Sequence, residues 1–221
     1  MIKGIIFDLD GTLLDSMGMW FDIDRRFLME CGVEDPPESI SWKVKQMTIE
    51  TAAEYLVREF GLGMTPEQVI RRIGELVREE YLHNIPLKKG AAELLRFLDE
   101  KGIPYGVATA TYKELAEAAL KRCGVFGRLR FLLTDREYPN GKGFPDIFLG
   151  AAELLGAEPA EVLVAEDSIH CVETANNAGF VTAAVYDEAS AKEWDKMKAA
   201  ATYSFTELGE IRTLFEDMDN E

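Results

Sequence analysis

Residues 4–16 read GIIFDLDGTLLDS. Gly4 to Phe7 is a short apolar run between Lys3 and Asp8, the length and pattern of a strand buried on both faces of a parallel sheet. It runs straight into Asp8-Leu9-Asp10-Gly11-Thr12. Side chains two apart on an extended chain point the same way, so the carboxylates of Asp8 and Asp10 can face one site. That site would lie beyond the carboxyl end of the strand, where open α/β sheets bind ligands. Adjacent carboxylates repel unless a cation sits between them or one keeps its proton. Either state is chemically useful, the first as a nucleophile and the second as a proton donor to a leaving group. An Asp-Gly pair is also a common turn, and the segment read alone leaves both readings open.

Working outward, similar apolar runs recur at Tyr105 to Ala108, Phe131 to Leu133, Val162 to Ala165 and Val181 to Val185. Helical patterns starting near Ala91, Lys113, Asp146 and Ile169 separate them and end at Gly102, Gly124, Gly156 and Gly179. Strand alternating with helix predicts an α/β fold, a Rossmann-like parallel sheet with helices on both faces. An alanine-rich helix over Ala189 to Ala201, a short strand at Tyr203 to Phe205 and a frayed acidic tail complete the expected core.

One interval breaks the rhythm. From about Ser16 to Pro86 no comparable strand is found, only helical patterns such as Val69, Ile70, Ile73, Leu76 and Val77. Thr65, Pro66 and Gln68 supply an N-cap, a first-turn proline and a capping-box partner for that helix, and Pro36-Pro37 and Gly61 to Gly63 mark breaks. Trp20, Ile23 and Phe27 share a helical face and are expected in this segment's own core. The expected organisation is therefore an α/β core at 1–15 and 87–221 with an α-helical insertion at 16–86. Lys88-Lys89, at the return from the insertion, is expected to be a solvated pair.

Composition narrows the partners. The 221 residues carry 24 Lys and Arg against 40 Asp and Glu, a formal charge of −16, which opposes binding to nucleic acid or an anionic membrane. An anionic substrate then needs a metal ion or a locally basic pocket. No stretch is long and apolar enough to span a bilayer, and the first apolar run stops too soon for a signal peptide. Cys31, Cys123 and Cys171 are odd in number and widely spaced, which indicates neither a disulfide framework nor a zinc site. A cytoplasmic monomer is the expectation.

FDLDGTLLDS resembles the first motif of the haloacid dehalogenase superfamily of phosphatases. YGVATAT at 105–111, GKGFPDIF at 141–148 and VLVAEDSIHCVETANNAGF at 162–180 resemble its other three, in order. The resemblance implies that Asp8 is the nucleophile forming an aspartyl phosphate and Asp10 the general acid and base. It implies that Thr109, through its hydroxyl, and Ala110, through its N–H, bind phosphoryl oxygens, with Lys142 neutralising the charge cluster. Asp8, the Asp10 carbonyl and Asp167 would hold Mg²⁺, with Glu166 acting directly or through water. Two positions depart from the pattern, Gly143 standing for a proline and Cys171 for a glycine. His170 is expected to be a surface residue at a helix start.

The insertion resembles the helical cap of the β-phosphoglucomutase-like branch, which also holds phosphoglycolate and sugar-phosphate phosphatases. That implies Mg²⁺-dependent hydrolysis of a small phosphorylated metabolite, with the cap excluding water. A sugar-phosphate mutase is the nearest alternative, and a non-catalytic phosphate-binding protein the alternative of a different class. The related mutase has a cap arginine in a segment similar to KQMTIETAAEYL at 45–56, and alignment places Ile49 there. That absence favours the phosphatase.

Overall fold

The computed structural model describes residues 1–138 and 140–216. They divide into two compact units, one of Met1–Asp15 with the chain from Pro86 onward, the other Ser16–Ile85. Strand β1 (Gly4–Phe7) precedes the second unit, which contains helices α1 (Met17–Glu30), α2 (Ile40–Val44), α3 (Ile49–Phe60) and α4 (Pro66–His83). The chain then continues through α5 (Ala91–Lys101), β2 (Tyr105–Thr109), α6 (Lys113–Arg122) and β3 (Leu132–Thr134). Helix α7 (Asp146–Leu155), β4 (Val162–Glu166), α8 (Ile169–Asn177), β5 (Val181–Val185), α9 (Trp194–Ala200), β6 (Tyr203–Phe205) and α10 (Thr213–Glu216) follow. The acidic tail from Asp217 lies outside the described residues.

The six strands form one sheet in the order β3-β2-β1-β4-β5-β6, every neighbouring pair parallel. Strand β1 lies at its centre because all four of its residues are buried and can be covered from both sides. Ile6 packs with Val164 and with Ile147 and Phe148 of α7, and Cys171 and Ala175 of α8 join the same cluster. Ile5 and Phe7, of opposite parity, are also fully buried, and Phe7 meets Tyr105 edge to face. Both faces of the sheet are therefore covered at β1, which leaves the end of this strand as the place where it can meet solvent.

The chain runs outward from β1 to β2 and β3, then crosses back to β4 on the other side of β1. This reversal leaves a crevice at the carboxyl ends of β1 and β4, the place where open α/β sheets bind ligands. Helix α7 ends on Gly156 at φ 67°, a left-handed position that a side chain would strain.

Two sequence expectations shift here. The third strand spans Leu132–Thr134 rather than 131–133, because its register pairs Leu133 with Ala108 and Thr134 with Thr109. The expected helix over 189–201 is divided: Glu188–Glu193 is wound as a 3-10 helix and only Trp194–Ala200 is α-helical. The Asp187 side chain accepts a hydrogen bond from Ala189 N at 2.8 Å, which starts a tight turn before the alanine-rich run.

Within the second unit, α4 begins as its sequence implies, with Thr65 and Gln68 in a reciprocal capping box and Pro66 in the first turn. Ile23 and Phe27 of α1 are buried, while Trp20 stays 38% exposed. The Trp20 ring lies edge-on to Tyr81 and its Nε1 donates to the Tyr81 hydroxyl at 3.3 Å, so one flank remains open. Arg26 pairs with Glu80 across the same helices at 2.6 Å.

Candidate active site

Asp8 directly follows β1, and its N–H donates to Ala165 O at 3.0 Å, which carries the sheet ladder one residue past Phe7. Its carboxylate is thereby fixed at the crevice and buried. The chain then turns: Leu9 O accepts from Leu13 N and Leu14 N, and Gly11 adopts φ 84° while donating to Leu14 O at 3.0 Å. Only glycine takes that left-handed conformation without strain, which accounts for Gly11 after the second aspartate.

Lys142 lies on a single 3-10 turn, Gly141–Gly143, between β3 and α7. Its buried ammonium is 2.5 Å from Asp8 Oδ1 and forms an ion pair with Glu166 Oε1. Glu166 is the last residue of β4, and Asp167 follows it; both are buried. Asp8, Glu166 and Asp167 each offer a carboxylate oxygen, and these oxygens lie within 4.8 Å of one another.

Burial of the carboxylates dominates the electrostatics. Desolvation pushes the Asp8 carboxyl up to about 7; Lys142 opposes this, while the charges of Glu166 and Asp10 add to it. Burial, with Asp8 and Glu166 beside it, also holds Asp167 well above the usual carboxylate range. For Lys142, burial favours loss of the proton, but Asp8 and Glu166 outweigh it and the ammonium stays charged. Three carboxylates against one ammonium leave two negative charges in excess when all are ionised. The donors are all oxygen, with no thiol or imidazole among them, and such a set suits a hard divalent cation.

Four of the sequence-predicted site residues thus converge: Asp8, Lys142, Glu166 and Asp167. The Asp10 carboxylate is outside that cluster and accepts a hydrogen bond from Thr111 Oγ1. Thr109, buried at the end of β2, accepts from Thr111 N at 3.0 Å, and Ala110 beside it is exposed. His170 is exposed, its Nδ1 2.7 Å from Ser168 Oγ. The carbonyl of Gly143 accepts from Thr174 Oγ1 at 3.4 Å, a tie to α8 at the turn that carries Lys142.

Sequence reasoning passed over three residues. Thr111 joins Asp10 to the Thr109 strand end. Lys88 was expected in solvent with Lys89, and only Lys89 is there, paired with Glu207 on the surface. The Lys88 ammonium is instead enclosed by Gly11 O, Tyr186 O at 2.7 Å and Asp187 Oδ2 at 2.8 Å. Burial beneath the nucleophile turn is the reason, since a cation there is tolerable only with acceptors on every side. The third, Asp187, is buried and belongs to the same group.

Residues 5–185 match the haloacid dehalogenase-like hydrolase family. The chain belongs to that family. This haloacid dehalogenase-like hydrolase is 30% identical over 194 residues to a Drosophila melanogaster protein named "Probable pseudouridine-5'-phosphatase", covering 85% of this chain and 83% of the relative. It is 29% identical over 192 residues to the N-acetylmuramic acid 6-phosphate phosphatase of Pseudomonas aeruginosa, covering 83% and 81%. Its fold matches a crystal structure from Thermotoga maritima named as a candidate β-phosphoglucomutase, with a TM-score of 0.86 and 24% identity over 98% of this chain and 99% of the other.

Proposed function

We propose that this haloacid dehalogenase-like hydrolase cleaves a small phosphate monoester, a sugar phosphate or similar metabolite, by attack of the Asp8 carboxylate on phosphorus. The observation that carries the reading is a buried carboxylate at the end of the central strand, held by an ammonium among further acids. A nucleophile so placed has its oxygen aimed from a rigid element, and the ion pair to Lys142 fixes its rotation.

Asp8, Asp167 and the carbonyl of Asp10 are the residues proposed to hold Mg²⁺, with Glu166 close enough to support them. When bound, the ion supplies the positive charge that the excess of carboxylates lacks and so allows a phosphate to approach. The remaining roles belong to the chain. Lys142 neutralises charge on the transferring phosphoryl group, and the Thr109 hydroxyl and Ala110 N–H orient its oxygens. Asp10 protonates the leaving alkoxide and then takes a proton from the water that hydrolyses the aspartyl phosphate. The names of the relatives support a phosphorylated carbohydrate or nucleoside as the substrate class.

The test is phosphate release by the purified protein in Mg²⁺ from a panel of phosphorylated metabolites, beside Asp8→Asn. Wild-type turnover, loss of it in a folded Asp8→Asn, and a mass increase on Asp8 after acid quench are expected. Continued turnover by Asp8→Asn would exclude covalent catalysis at that residue. Tight phosphate binding with no release from any ester would instead favour the non-catalytic binding reading.

A further inference from the structure

The chain leaves and re-enters the sheet-bearing unit through a short paired ribbon. Asp15 N donates to Pro86 O at 3.0 Å, Leu14 bridges Leu87 antiparallel, and Lys88 N donates to Leu13 O at 2.8 Å. From the base of this ribbon the Lys88 side chain, only 15% exposed, turns under the nucleophile turn. An ammonium has three donors and no acceptor, and all three directions are used, by Gly11 O, Tyr186 O and Asp187 Oδ2.

Asp187 is itself held at both ends. One oxygen takes Lys88 and the other accepts from Ala189 N at 2.8 Å, so the carboxylate is an anchor on the chain just past β5. A buried ion pair of this kind is weak evidence for stability, because apolar side chains of similar volume often serve as well. What apolar side chains cannot do is hold the Gly11 carbonyl. Gly11 follows Asp10 at a left-handed position of the turn, and fixing its carbonyl fixes the Gly11–Thr12 peptide plane, which holds the turn on which Asp10 sits.

We propose that Lys88 is a positioning residue for the proton-transfer step: it ties the turn carrying Asp10 to the end of β5 and aligns the Asp10 carboxyl with the leaving group. The inference rests on the reading of Asp10 as the acid of a phosphatase. Loss of the Lys88 ammonium then costs leaving-group protonation more than it costs binding of the phosphoryl group.

The experiment compares phenyl phosphate with p-nitrophenyl phosphate in Mg²⁺, since the first leaving group needs a proton and the second needs one far less. kcat/KM, which covers the steps through leaving-group departure, is measured for wild type, Lys88→Met, Lys88→Met/Asp187→Leu and Asp10→Asn. The double variant leaves no unpaired buried carboxylate, so it reports even where the single one unfolds. Misalignment of a catalytic group by about 1 Å costs on the order of a hundredfold, so a selective loss of about tenfold or more on phenyl phosphate is expected in both Lys88 variants. The direction should match Asp10→Asn, and the comparison rests on kcat/KM because slower hydrolysis of the aspartyl phosphate would also lower KM. Equal losses on both esters, or an unchanged ratio in the folded double variant, would overturn the role of Lys88. No release from either ester by the wild type would instead strike the phosphatase reading itself.

Discussion

Lys142 and Asp8 are 134 positions apart in sequence, yet Lys142 Nζ lies 2.5 Å from Asp8 Oδ1 in the interior of the protein. Glu166 pairs with the same ammonium, and Asp167 adds a third carboxylate to the cluster. Among the described residues, Lys142 is the cation paired with this acidic group. Removing one partner of a buried ion pair costs about 3–5 kcal/mol, because the other is left as an uncompensated buried charge.

Lys142→Met should accordingly lower the stability of the metal-free protein by about that amount at neutral pH. The loss should shrink as pH falls, since the carboxylates can neutralise themselves by taking up protons. Urea unfolding at pH 5 and pH 8 in chelator reads this directly. An equal and small change at both pH values would mean that the cluster does not carry the charge assigned to it. Phosphatase activity should fall to background in the same variant, even at saturating Mg²⁺.

A second prediction follows from the raised carboxyls. Burial pushes the Asp8 carboxyl up to about 7 in the folded protein, far above the ordinary carboxylate range. A carboxyl whose folded pKa is raised contributes stability that is full below the unfolded value and is lost as pH rises through the folded one. The metal-free protein should therefore lose stability between about pH 4 and pH 7 on account of Asp8, and Asp167 acts in the same direction. Mg²⁺ should restore more stability at pH 7.5 than at pH 5, and its binding should release protons. Thermal melts with Mg²⁺ and with chelator across this range provide the check, and Asp8→Asn should flatten the metal-free curve. A Mg²⁺ effect of equal size at both pH values would remove the carboxylate cluster as the binding site. Calcium, which favours more ligands and longer bonds, should compete for the site without supporting full turnover.

The parts of this protein that were legible in its sequence are those set by local rules. Gly4–Phe7 and Val181–Val185 read as strands because buried parallel strands are unbroken apolar runs, and the start of α4 was written in Thr65, Pro66 and Gln68. Asp8 stood out because it directly follows the first apolar run, whereas Lys142, Glu166 and Asp167 were picked out by the resemblance of their segments to the family's motifs; the parallel topology brings the carboxyl ends of β1 and β4 together. Lys88 and Asp187 were not legible. They meet across 99 positions, and a lysine next to another lysine carries no local sign of burial. Nor does Thr111 announce its bond to Asp10, since a threonine after a strand serves equally well as a cap or a turn. The 3-10 turn at Glu188–Glu193 was missed because composition there favours helix, while the backbone is set by a side-chain bond from Asp187.

The last prediction separates hydrolysis from phosphate migration within a sugar. A mutase must hold a bisphosphate and present each end in turn, so it needs a second cationic grip on the phosphate distant from Lys142. Ile49, which the sequence resemblance aligns with the cap arginine of the related mutase, is the first residue of α3 and is 61% exposed. Its aliphatic side chain offers none of the charge-assisted hydrogen bonds, worth about 1.5–3 kcal/mol each, that retain a second phosphate. Of the cap cations that could stand in for the arginine, Lys43, Lys45 and Arg78, the first two are engaged otherwise. Lys43 donates to the Tyr55 hydroxyl at 2.8 Å, and the Lys45 ammonium lies over the Phe21 and Trp42 rings at 5.4 and 5.8 Å. Two missing bonds correspond to a loss of retention of roughly a hundredfold or more, since each 1.4 kcal/mol is tenfold in affinity. Supplied with β-glucose 1-phosphate and a trace of glucose 1,6-bisphosphate in Mg²⁺, the protein should therefore produce no accumulating glucose 6-phosphate, and any turnover should appear as free phosphate. Both products are followed in one reaction by coupled assay. Rapid formation of glucose 6-phosphate with little phosphate release would show that a bisphosphate is retained and reoriented, and would replace hydrolysis with the mutase reaction.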